Sequence, residues 1–388
     1  MSYIRNILLI IILLFSVQLF AQKIKINLFH GFNIKTLVIR PVVGRFEYIA
    51  DDNKPNKIRK SNIIYLTIIG DSVGLWDLDK HIGIFKNIKI IGISKENNFR
   101  IEPAYPALKE RRYKGNIEIY VKKGGLFIIN EVDIENYIAG VVESEGGPKA
   151  PPEYYKSQAI ICRTYALDHF NRHIDEGFNL CDGVHCQVYK SMSYQNDTII
   201  EATKITKGLV ITDTTNSLIT AAFHSNSGGQ TVNSEDVWSS ETSYLKSIID
   251  TFSLNQRNST WQDTISITDW ITYLDTIGIE INQQTFSAKA LSFEQDKRKV
   301  YYNIINDTIL LKKIRKDFNL RSTYFSMKLT GNELILTGKG YGHGVGLCQE
   351  GAMQMARMGY NFMDIIYFYY KDVNITNLQE LHLFNIYY

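Results

Sequence analysis

Acidic and basic side chains that can act on a substrate lie close together in the segment VVESEGGPKAPPEYYKSQAIICRTYALDHF, residues 141–170. Glu143 and Glu145 are two residues apart, so on a helix they face different ways and only one of them can face a cleft. Lys156 and Arg163 are seven residues apart and lie on one side of a predicted helix, two turns apart. A carboxyl group in a cleft can transfer protons, and neighbouring cations can bind the carbonyl groups, carboxyl groups or developing negative charge of a substrate. The alternative for all four side chains is a solvated, charged surface.

A second cluster combines cysteine and histidine in HIDEGFNLCDGVHCQVY, residues 173–189. Two thiolates and two imidazoles are sufficient for a tetrahedral zinc site. The predicted ligands are His173, Cys181, His185 and Cys186. His169 competes for the place of one histidine. The spacing is not that of a zinc finger, and a disulfide between Cys181 and Cys186 closing a small loop explains the two cysteines equally well.

Two further segments carry histidine. GKGYGHGVGLCQEGA, residues 338–352, does not fit the dinucleotide pattern G-x-G-x-x-G and no βαβ unit follows it, so it does not indicate a nucleotide site. Its glycines allow positive φ angles or a close backbone approach, and His343 at its centre either lines a groove or packs structurally. FHSNSGG, residues 223–229, offers His224 and Ser225, but without G-x-S-x-G it does not indicate a serine hydrolase.

Composition limits the remaining classes. The 388 residues suffice for two domains or one elaborate domain, and 45% hydrophobic residues support a packed core. A formal net charge of +3 is too small for a nucleic-acid footprint, so no nucleic-acid partner is expected. The 24 tyrosines fit either a tyrosine-rich core or a polymer-binding groove.

The first 21 residues predict export. Arg5 supplies a basic start, residues 7–15 form an apolar run, and Ala21 offers a cleavage site, as in a secretory signal. The run is short for a membrane span, and the alternative is an uncleaved anchor that is the only expected membrane contact. We therefore expect a periplasmic or extracellular protein. An even number of cysteines, 4, is compatible with disulfides in that compartment.

The hydrophobic pattern predicts an α+β protein. Residues 22–112 read as a β-rich N-terminal region of short, β-branched strands. Residues 113–370 form a mixed domain with helices at about 133–142, 152–170, 349–358 and 362–370 and with strands at 209–213 and 218–225. Residues 254–332 are polar and weakly patterned, which indicates an insertion or subdomain, and residues 371–388 form a C-terminal tail.

Six segments, in this order, resemble the stage II sporulation protein D family, also called the LytB-type amidase-enhancer family. They are YIAGVVESE (137–145), KSQAIICRTYAL (156–167), CQVY (186–189), AAFHSNSGGQT (221–231), VWSSETSYL (237–245) and GYGHGVGLCQEGAMQMA (340–356). The resemblance covers residues 113–370. It implies a catalytic helix and strands around a glycan groove.

The resemblance implies a lytic transglycosylase that cuts peptidoglycan strands, notably strands stripped of peptide, between N-acetylmuramic acid and N-acetylglucosamine. Glu145 then corresponds to the catalytic acid, Lys156 and Arg163 to basic active-site positions, and Tyr244 to a glycan-contacting tyrosine. We expect His224 and His343 to contact substrate as well. A zinc ion held by two cysteines and two histidines is a family feature and favours zinc over the disulfide here.

A single carboxyl suffices for this reaction, unlike ordinary glycoside hydrolysis. Glu145 would protonate the leaving oxygen and then take a proton from the 6-hydroxyl of the muramic acid ring, which closes onto C1. Such an acid requires apolar surroundings, for which Val141 and Val142 are candidates. The alternative is a glycan-binding enhancer of a cell-wall amidase without activity of its own, and a third hypothesis is a secreted β-rich binding protein with coincidental motifs.

Overall fold

The computed structural model describes residues 22–381 except residues 52, 60–61, 79, 239, 280–290 and 305–306. The predicted signal segment at residues 1–21 and the last seven residues of the predicted tail lie outside the described residues. The chain is a mixed α+β protein with several sheets, so the predicted fold class is confirmed. Among the described residues, no helix is both long enough and apolar enough to cross a membrane.

Internal contacts divide the chain into two units. The first unit contains residues 1–141 and 170–192, and the second contains residues 142–169 and 193–388. The boundary predicted at residue 113 lies inside the first unit, because the strands on either side of it belong to the same sheets.

The first unit is built from two sheets, in which every strand pair is antiparallel except that of β1 with β13. Its strands are β1 (Lys23–Leu28), β2 (Thr36–Val43), β3 (Phe46–Ala50), β4 (Asn56–Ile58), β5 (Ile64–Ile69), β6 (Ser72–Asp77), β7 (Lys80–Phe85), β8 (Asn87–Gly92), β9 (Asn98–Tyr105), β10 (Arg111–Tyr113), β11 (Asn116–Lys122), β12 (Gly125–Asp133) and β13 (Leu180–Cys181). One sheet has the order β13-β1-β12-β11-β8-β3-β4 and the other β10-β9-β2-β5-β6-β7. In β11, Ile117 and Ile119 are buried while Glu118 between them is partly exposed, which is the alternation expected of a strand with one core face.

The cysteine-rich segment returns to the first unit through β13. This two-residue strand pairs in parallel with β1, with Leu180 beside Ile26 and Cys181 beside Asn27. The pairing seats the segment at one edge of the seven-stranded sheet. A long-range contact of this kind leaves no local signal in the sequence.

The second unit holds most of the helices. The described helices of the chain are α1 (Ile134–Gly146), α2 (Pro152–Asp168), α3 (Asp197–Ile205), α4 (Ser234–Trp238), α5 (Ile267–Thr276), α6 (Leu311–Asp317), α7 (Gln349–Arg357) and α8 (Phe362–Tyr369). α2 begins at Pro152, and proline costs no hydrogen bond there because an N–H group at the start of a helix has no intrahelical acceptor. α8 begins with a capping box in which Asn361 and Asp364 exchange side chain–backbone hydrogen bonds. The helices predicted near residues 152, 349 and 362 are therefore confirmed.

The strands of the second unit are short. They are β14 (Leu209–Asp213), β15 (Phe223–His224), β16 (Thr260–Ser266), β17 (Ser292–Phe293), β18 (Tyr301–Ile304), β19 (Asp307–Leu310), β20 (Phe325–Thr330), β21 (Glu333–Lys339), β22 (Leu347–Cys348) and β23 (Val373–Asn377). The strand predicted over residues 218–225 is reduced to β15, because its parallel partner β22 is only two residues long.

Residues 254–332 contribute a folded layer with its own core, despite their weak pattern. β16, β21, β20 and β17 form a four-stranded sheet in that order. Trp270, Leu274 and Tyr302 are among the buried residues that pack together beside this sheet. The polar sequence reflects the exposed sides of these elements, and the core residues come from several separate short segments.

Candidate functional site

Three of the motif segments meet at Glu145, which lies in the last turn of α1 and is half-buried. Its backbone carbonyl accepts a hydrogen bond from the Gln349 side chain at 3.3 Å, and Gln349 is the first residue of α7. Burial raises the pKa of the Cys162 thiol, and the charge of Glu145 raises it further. Burial likewise raises the pKa of Tyr154, with Cys162 and Glu145 adding to the effect. The carboxylate of Glu145 is therefore close enough to Tyr154 and Cys162, which share one side of α2, to raise the pKa of both.

That side of α2 is buried. Tyr154, Gln158 and Cys162 follow each other at intervals of four and form one stripe, in which Gln158 donates a hydrogen bond to the Cys162 sulfur at 3.4 Å. Successive helical residues are rotated by about 100°. Lys156 and Arg163 consequently lie on the opposite side of the helix from Tyr154, Gln158 and Cys162.

Lys156 is held by an ion pair at the start of α2. Its ammonium lies 2.6 Å from one oxygen of Glu153, and its side chain is 19% exposed. The other Glu153 oxygen accepts a hydrogen bond from the backbone N–H of Phe362 at 2.9 Å. Lys156 thus helps join the first turn of α2 to the first turn of α8. Its predicted contact with a substrate stays a prediction.

Arg163 does not lie on an exposed face, so the alternative of a solvated, charged surface is wrong for this residue. The residue is fully buried, at 0% exposure. Its guanidinium donates to the backbone carbonyls of Leu209 at 3.0 Å, Ala159 at 3.5 Å and Thr203 at 3.5 Å. A guanidinium can satisfy several carbonyls at once, and in this structure Arg163 connects α2 to the end of α3 and to β14.

Tyr244 lies near Tyr370, a buried tyrosine that is also close to Cys162 on α2. Its hydroxyl accepts a hydrogen bond from the backbone N–H of Thr220 at 3.0 Å. Burial raises the pKa of Tyr370, and Cys162 and Tyr244 raise it further. Tyr370 in turn donates its hydroxyl to the Ala222 carbonyl at 2.6 Å. Tyr244 and Cys162 are therefore both close enough to the buried Tyr370 to affect its pKa.

The glycine-rich segment forms an irregular loop leading into β22 and α7. Gly340, Gly342, Gly344 and Gly346 all have positive φ angles, so the predicted need for glycine is confirmed. A Cβ atom at Gly346 would lie 2.1 Å from the Ala222 carbonyl oxygen. This close approach allows the loop to pair with β15 and places Gln349 beside Glu145.

The loop also brings the two predicted histidines together. The rings of His224 and His343 are 5.6 Å apart, and the ring of Trp238 lies 5.3 Å from that of His343. His224 is 4% exposed, and its Nδ1 donates a hydrogen bond to the Val345 carbonyl at 3.1 Å. His343 accepts the Val345 N–H at its Nδ1 at 3.0 Å, so Nε2 carries the proton of the neutral ring. The function of both rings in substrate contact stays a prediction.

Protonation of His343 is expected to lower stability in acid. Burial lowers the pKa of His343 to about 4 from its usual 6.5, and Arg315 and Arg298 contribute to the shift. The unfolded chain therefore binds the proton first, and the stability from this group is complete above about pH 6.5 and is lost as the pH falls toward 4. The loss reaches at most about 3 kcal/mol. Free energies of unfolding in urea at pH 4.5 and pH 7 should differ less in His343→Gln than in the wild type, and equal differences would contradict this account.

In the first unit, the structure brings together His173, Cys181, His185 and Cys186. Their ligand atoms all lie within 4.8 Å of one another, and all four cysteines of the chain are free thiols. The Cys186 sulfur is 3.5 Å from Nε2 of His173 and 3.7 Å from Nδ1 of His185, and the Cys181 sulfur is 4.0 Å from the latter atom. Zinc–ligand bonds of 2.0–2.3 Å in a tetrahedron place sulfur and nitrogen roughly 3.6 Å apart. The donor set fits zinc in type, number and spacing.

The surroundings of the cluster also suit a metal. His173 uses Nε2 toward the cluster, while Nδ1 lies 2.6 Å from a carboxylate oxygen of Glu176. Carboxylate partners of this kind orient ligating histidines. The predicted competitor His169 lies elsewhere, since its ring stacks on Tyr165 with 4.2 Å between centroids and it does not belong to the cluster.

A buried ion pair anchors the loop between the two cysteines. Asp182 is 4% exposed and lies 2.7 Å from the Arg111 guanidinium. Its two oxygens also accept the backbone N–H groups of Phe29 at 2.6 Å and His30 at 3.0 Å. The carboxylate thereby ties the loop to the end of β1.

Removing this carboxylate is expected to destabilise the first unit. Asp182→Ala removes the counter-ion of the partly buried Arg111 and the acceptor of two backbone N–H groups, and the free energy of unfolding should fall by about 3 kcal/mol. Urea denaturation under matched metal conditions measures the change. The control is Asp175→Ala, an exposed position in the same segment, for which a change within about 0.5 kcal/mol is expected. Equal effects of the two substitutions would contradict a special role for Asp182.

Sequence reasoning missed three residues around Glu145. Gln349 was noted only as the start of a helix, and Tyr154 and Gln158 were not singled out. The four-residue spacing of Tyr154, Gln158 and Cys162 is a readable signal for one helix face. No local signal identifies the contact between Gln349 and Glu145, because 204 positions separate them.

Comparisons with known proteins agree on one family. Residues 122–212 match a family model described as stage II sporulation protein. The chain is 30% identical over 289 residues to the stage II sporulation protein D of Bacillus amyloliquefaciens, covering 70% of this chain and 81% of the relative. Identity to the protein of the same name from Bacillus subtilis (strain 168) is 29% over 310 residues, covering 75% and 89%.

A further relative carries a different name. The amidase enhancer of Bacillus subtilis (strain 168) is 29% identical over 294 residues, which cover 62% of this chain and 40% of that protein. The similarity to this longer protein therefore concerns less than half of its length.

Proposed function

Since the chain belongs to the stage II sporulation protein D family, we propose that it is a cell-wall protein and a lytic transglycosylase of peptidoglycan. It cleaves between N-acetylmuramic acid and N-acetylglucosamine and leaves 1,6-anhydro-N-acetylmuramic ends, on strands stripped of peptide. The observation that supports this most is the convergence of three motif segments at Glu145. Its carboxylate raises the pKa of Tyr154 and Cys162 on α2, and its backbone carbonyl accepts a hydrogen bond from Gln349 on α7.

Glu145 performs both proton transfers in this proposal. Its protonated carboxyl gives a proton to the glycosidic oxygen as the bond from that oxygen to C1 breaks. The resulting carboxylate takes the proton of the 6-hydroxyl as its oxygen bonds to C1 of the same ring. Water is not consumed, so the second carboxylate of glycoside hydrolases is unnecessary. The buried side of α2 supplies the apolar surroundings, a function expected earlier of Val141 and Val142.

The test is a digest of peptide-free glycan strands in ¹⁸O-labelled water, followed by mass spectrometry. A transglycosylase releases anhydro-muramyl ends without the label, because the 6-hydroxyl is the nucleophile. Reducing ends that carry ¹⁸O would identify a hydrolase and overturn the proposal. Absence of any product from folded, metal-loaded protein would favour the second candidate.

The second candidate is a glycan-binding enhancer of a cell-wall amidase. It is favoured by the similarity to a protein named amidase enhancer and by the burial of Arg163, which was expected at the substrate. Stimulation of a purified amidase on intact wall, without release of anhydro ends, would support it.

We propose that His173, Cys181, His185 and Cys186 hold a structural zinc ion. Four protein ligands complete a tetrahedron and leave no position open for water or substrate. When bound, the metal would supply a cross-link between β13, the loop after it and the segment near His173. The free thiols and the fit of the distances support zinc over a Cys181–Cys186 disulfide.

We also propose that the protein is exported, which would place it in contact with peptidoglycan. The basic start, the apolar run at residues 7–15 and the small residue Ala21 support this proposal.

A further inference from the structure

A small cavity of about 30 Å³ lies in the second unit beside the glycine-rich loop. Residues of the segment 299–323, which showed little functional signal in the sequence, form more than half of its wall. The lining residues are Val232, Asp236, Val237, Lys299, Val300, Leu311, Lys312, Arg315, Thr323 and His343. A space of this size admits one small polar group and excludes a sugar ring.

Three cations line this space, and each donates a hydrogen bond to a backbone carbonyl. Arg315 donates its Nε to the Leu320 carbonyl at 3.3 Å, Lys312 its ammonium to the Val237 carbonyl at 3.1 Å, and Lys299 its ammonium to the Glu294 carbonyl at 2.8 Å. Within the described residues, no carboxylate forms an ion pair with any of the three. The one acid in the wall, Asp236, instead accepts a hydrogen bond from the Asn233 side chain at 3.1 Å.

A fourth cation reinforces the positive field from within the fold. Arg298 donates to the carbonyls of Ser227 at 2.6 Å and Gln230 at 2.7 Å. Burial lowers the pKa of Arg298 to about 10 and lowers that of Arg315 as well. Both remain cationic at neutral pH. Lys299 and Lys312 are exposed, but Arg298 and Arg315 are partly buried, and partly buried cations without counter-ions are unfavourable unless an anion joins them.

An aromatic surface adjoins the cavity. Trp238 is 41% exposed, and its ring lies 5.3 Å from that of His343. Aromatic rings beside a few convergent polar groups are typical of pockets that bind small polar molecules. A sugar ring can lie on Trp238 while a charged substituent enters the cavity.

We propose that this cavity is a subsite for the carboxylate of an acidic sugar, bound by Arg315 beside the ring of His343, with Lys299 and Lys312 at its rim. This inference rests on the proposed function, in which the substrate contains an acidic sugar, N-acetylmuramic acid. Its lactyl carboxylate is free only where the stem peptide has been removed. In intact strands the same carbon is an amide and carries no charge. The subsite therefore selects peptide-stripped strands by charge, since an Arg–carboxylate contact is charge-assisted and an amide cannot replace it.

The test is a binding titration followed by the NMR signal of His343, in a Glu145→Gln background so that no cleavage is needed. The probes are N-acetylmuramic acid, its methyl ester, N-acetylglucosamine and inorganic phosphate. N-acetylmuramic acid should raise the midpoint of His343 titration above its starting value of about 4, because a bound anion offsets the charges of Arg315 and Arg298. His224 and Asp236 are the other titratable groups facing this ring or cavity, and their signals are followed in parallel. The ester and N-acetylglucosamine should leave the midpoint unchanged.

Two variants make the result decisive. Arg315→Gln should weaken binding of N-acetylmuramic acid at least tenfold, and Arg315→Lys should restore part of it. Lys316→Gln, at an exposed position of the same helix, removes one charge without facing the cavity and should bind as the parent does. Equal binding of acid and ester, an equal shift with phosphate, or equal loss in the two glutamine variants would overturn the proposal.

The outcome is separable from that of the proposed function. Acid-selective binding together with a failure to form anhydro ends would reject the transglycosylase and retain the subsite. Formation of anhydro ends without acid-selective binding would reject the subsite and retain the enzyme.

Discussion

Glu145→Gln is expected to lower the rate of glycan cleavage by about 10²- to 10⁴-fold, the usual contribution of a general acid–base group. Glutamine keeps the size of the side chain and can still donate a hydrogen bond, but it cannot release a proton to the glycosidic oxygen. The fold should be unaffected, because the contact from Gln349 is made to the backbone carbonyl of residue 145. Release of 1,6-anhydro-muramyl ends from peptide-free strands, quantified by mass spectrometry, measures the effect.

The matched control is Glu143→Gln, which makes the same chemical change two residues earlier on α1. One carboxylate oxygen of Glu143 is buried without a hydrogen-bond partner, so the neutral amide should be tolerated. We expect near wild-type cleavage from this variant. Full activity of Glu145→Gln, or equal losses in both variants, would remove Glu145 from the mechanism.

Cys186→Ser is expected to abolish stoichiometric zinc and to lower the melting temperature by roughly 10 °C or more. Structural zinc contributes about 10–16 kcal/mol of binding free energy in small zinc peptides, and Cys186 contacts both histidines of the cluster. Metal content by mass spectrometry and thermal unfolding with and without a chelator measure the two effects. A strong chelator should reproduce the shift in the wild type and leave the variant unchanged.

Cys348→Ser provides the control, because it makes the same substitution at a buried cysteine outside the cluster. The Cys348 sulfur caps α7 by accepting the Gly351 N–H at 3.3 Å, which a serine hydroxyl can also do. This variant should retain one zinc per chain. A wild type that binds no zinc and yields only two titratable thiols after unfolding would instead establish the Cys181–Cys186 disulfide.

The local features of this protein were predictable from its amino-acid sequence. The helices α2, α7 and α8 were predictable because proline or acid at the first turn and a regular apolar stripe are local signals. The cluster of two cysteines and two histidines was predictable because its four members lie within 14 residues of chain, from His173 to Cys186. The collinear motifs indicated the family and, through it, Glu145.

The pairs of side chains that face one another across the fold were not predictable. Periodicity placed Lys156 and Arg163 on one side of α2 but could not decide whether that side faces solvent, and in the fold Arg163 is buried against backbone carbonyls. The partner of Glu145 on α7 and the basic cavity at His343 arise from segments far apart in the chain. Such contacts depend on the packing of whole elements and leave no local pattern, because the side chains that meet have no fixed spacing in sequence.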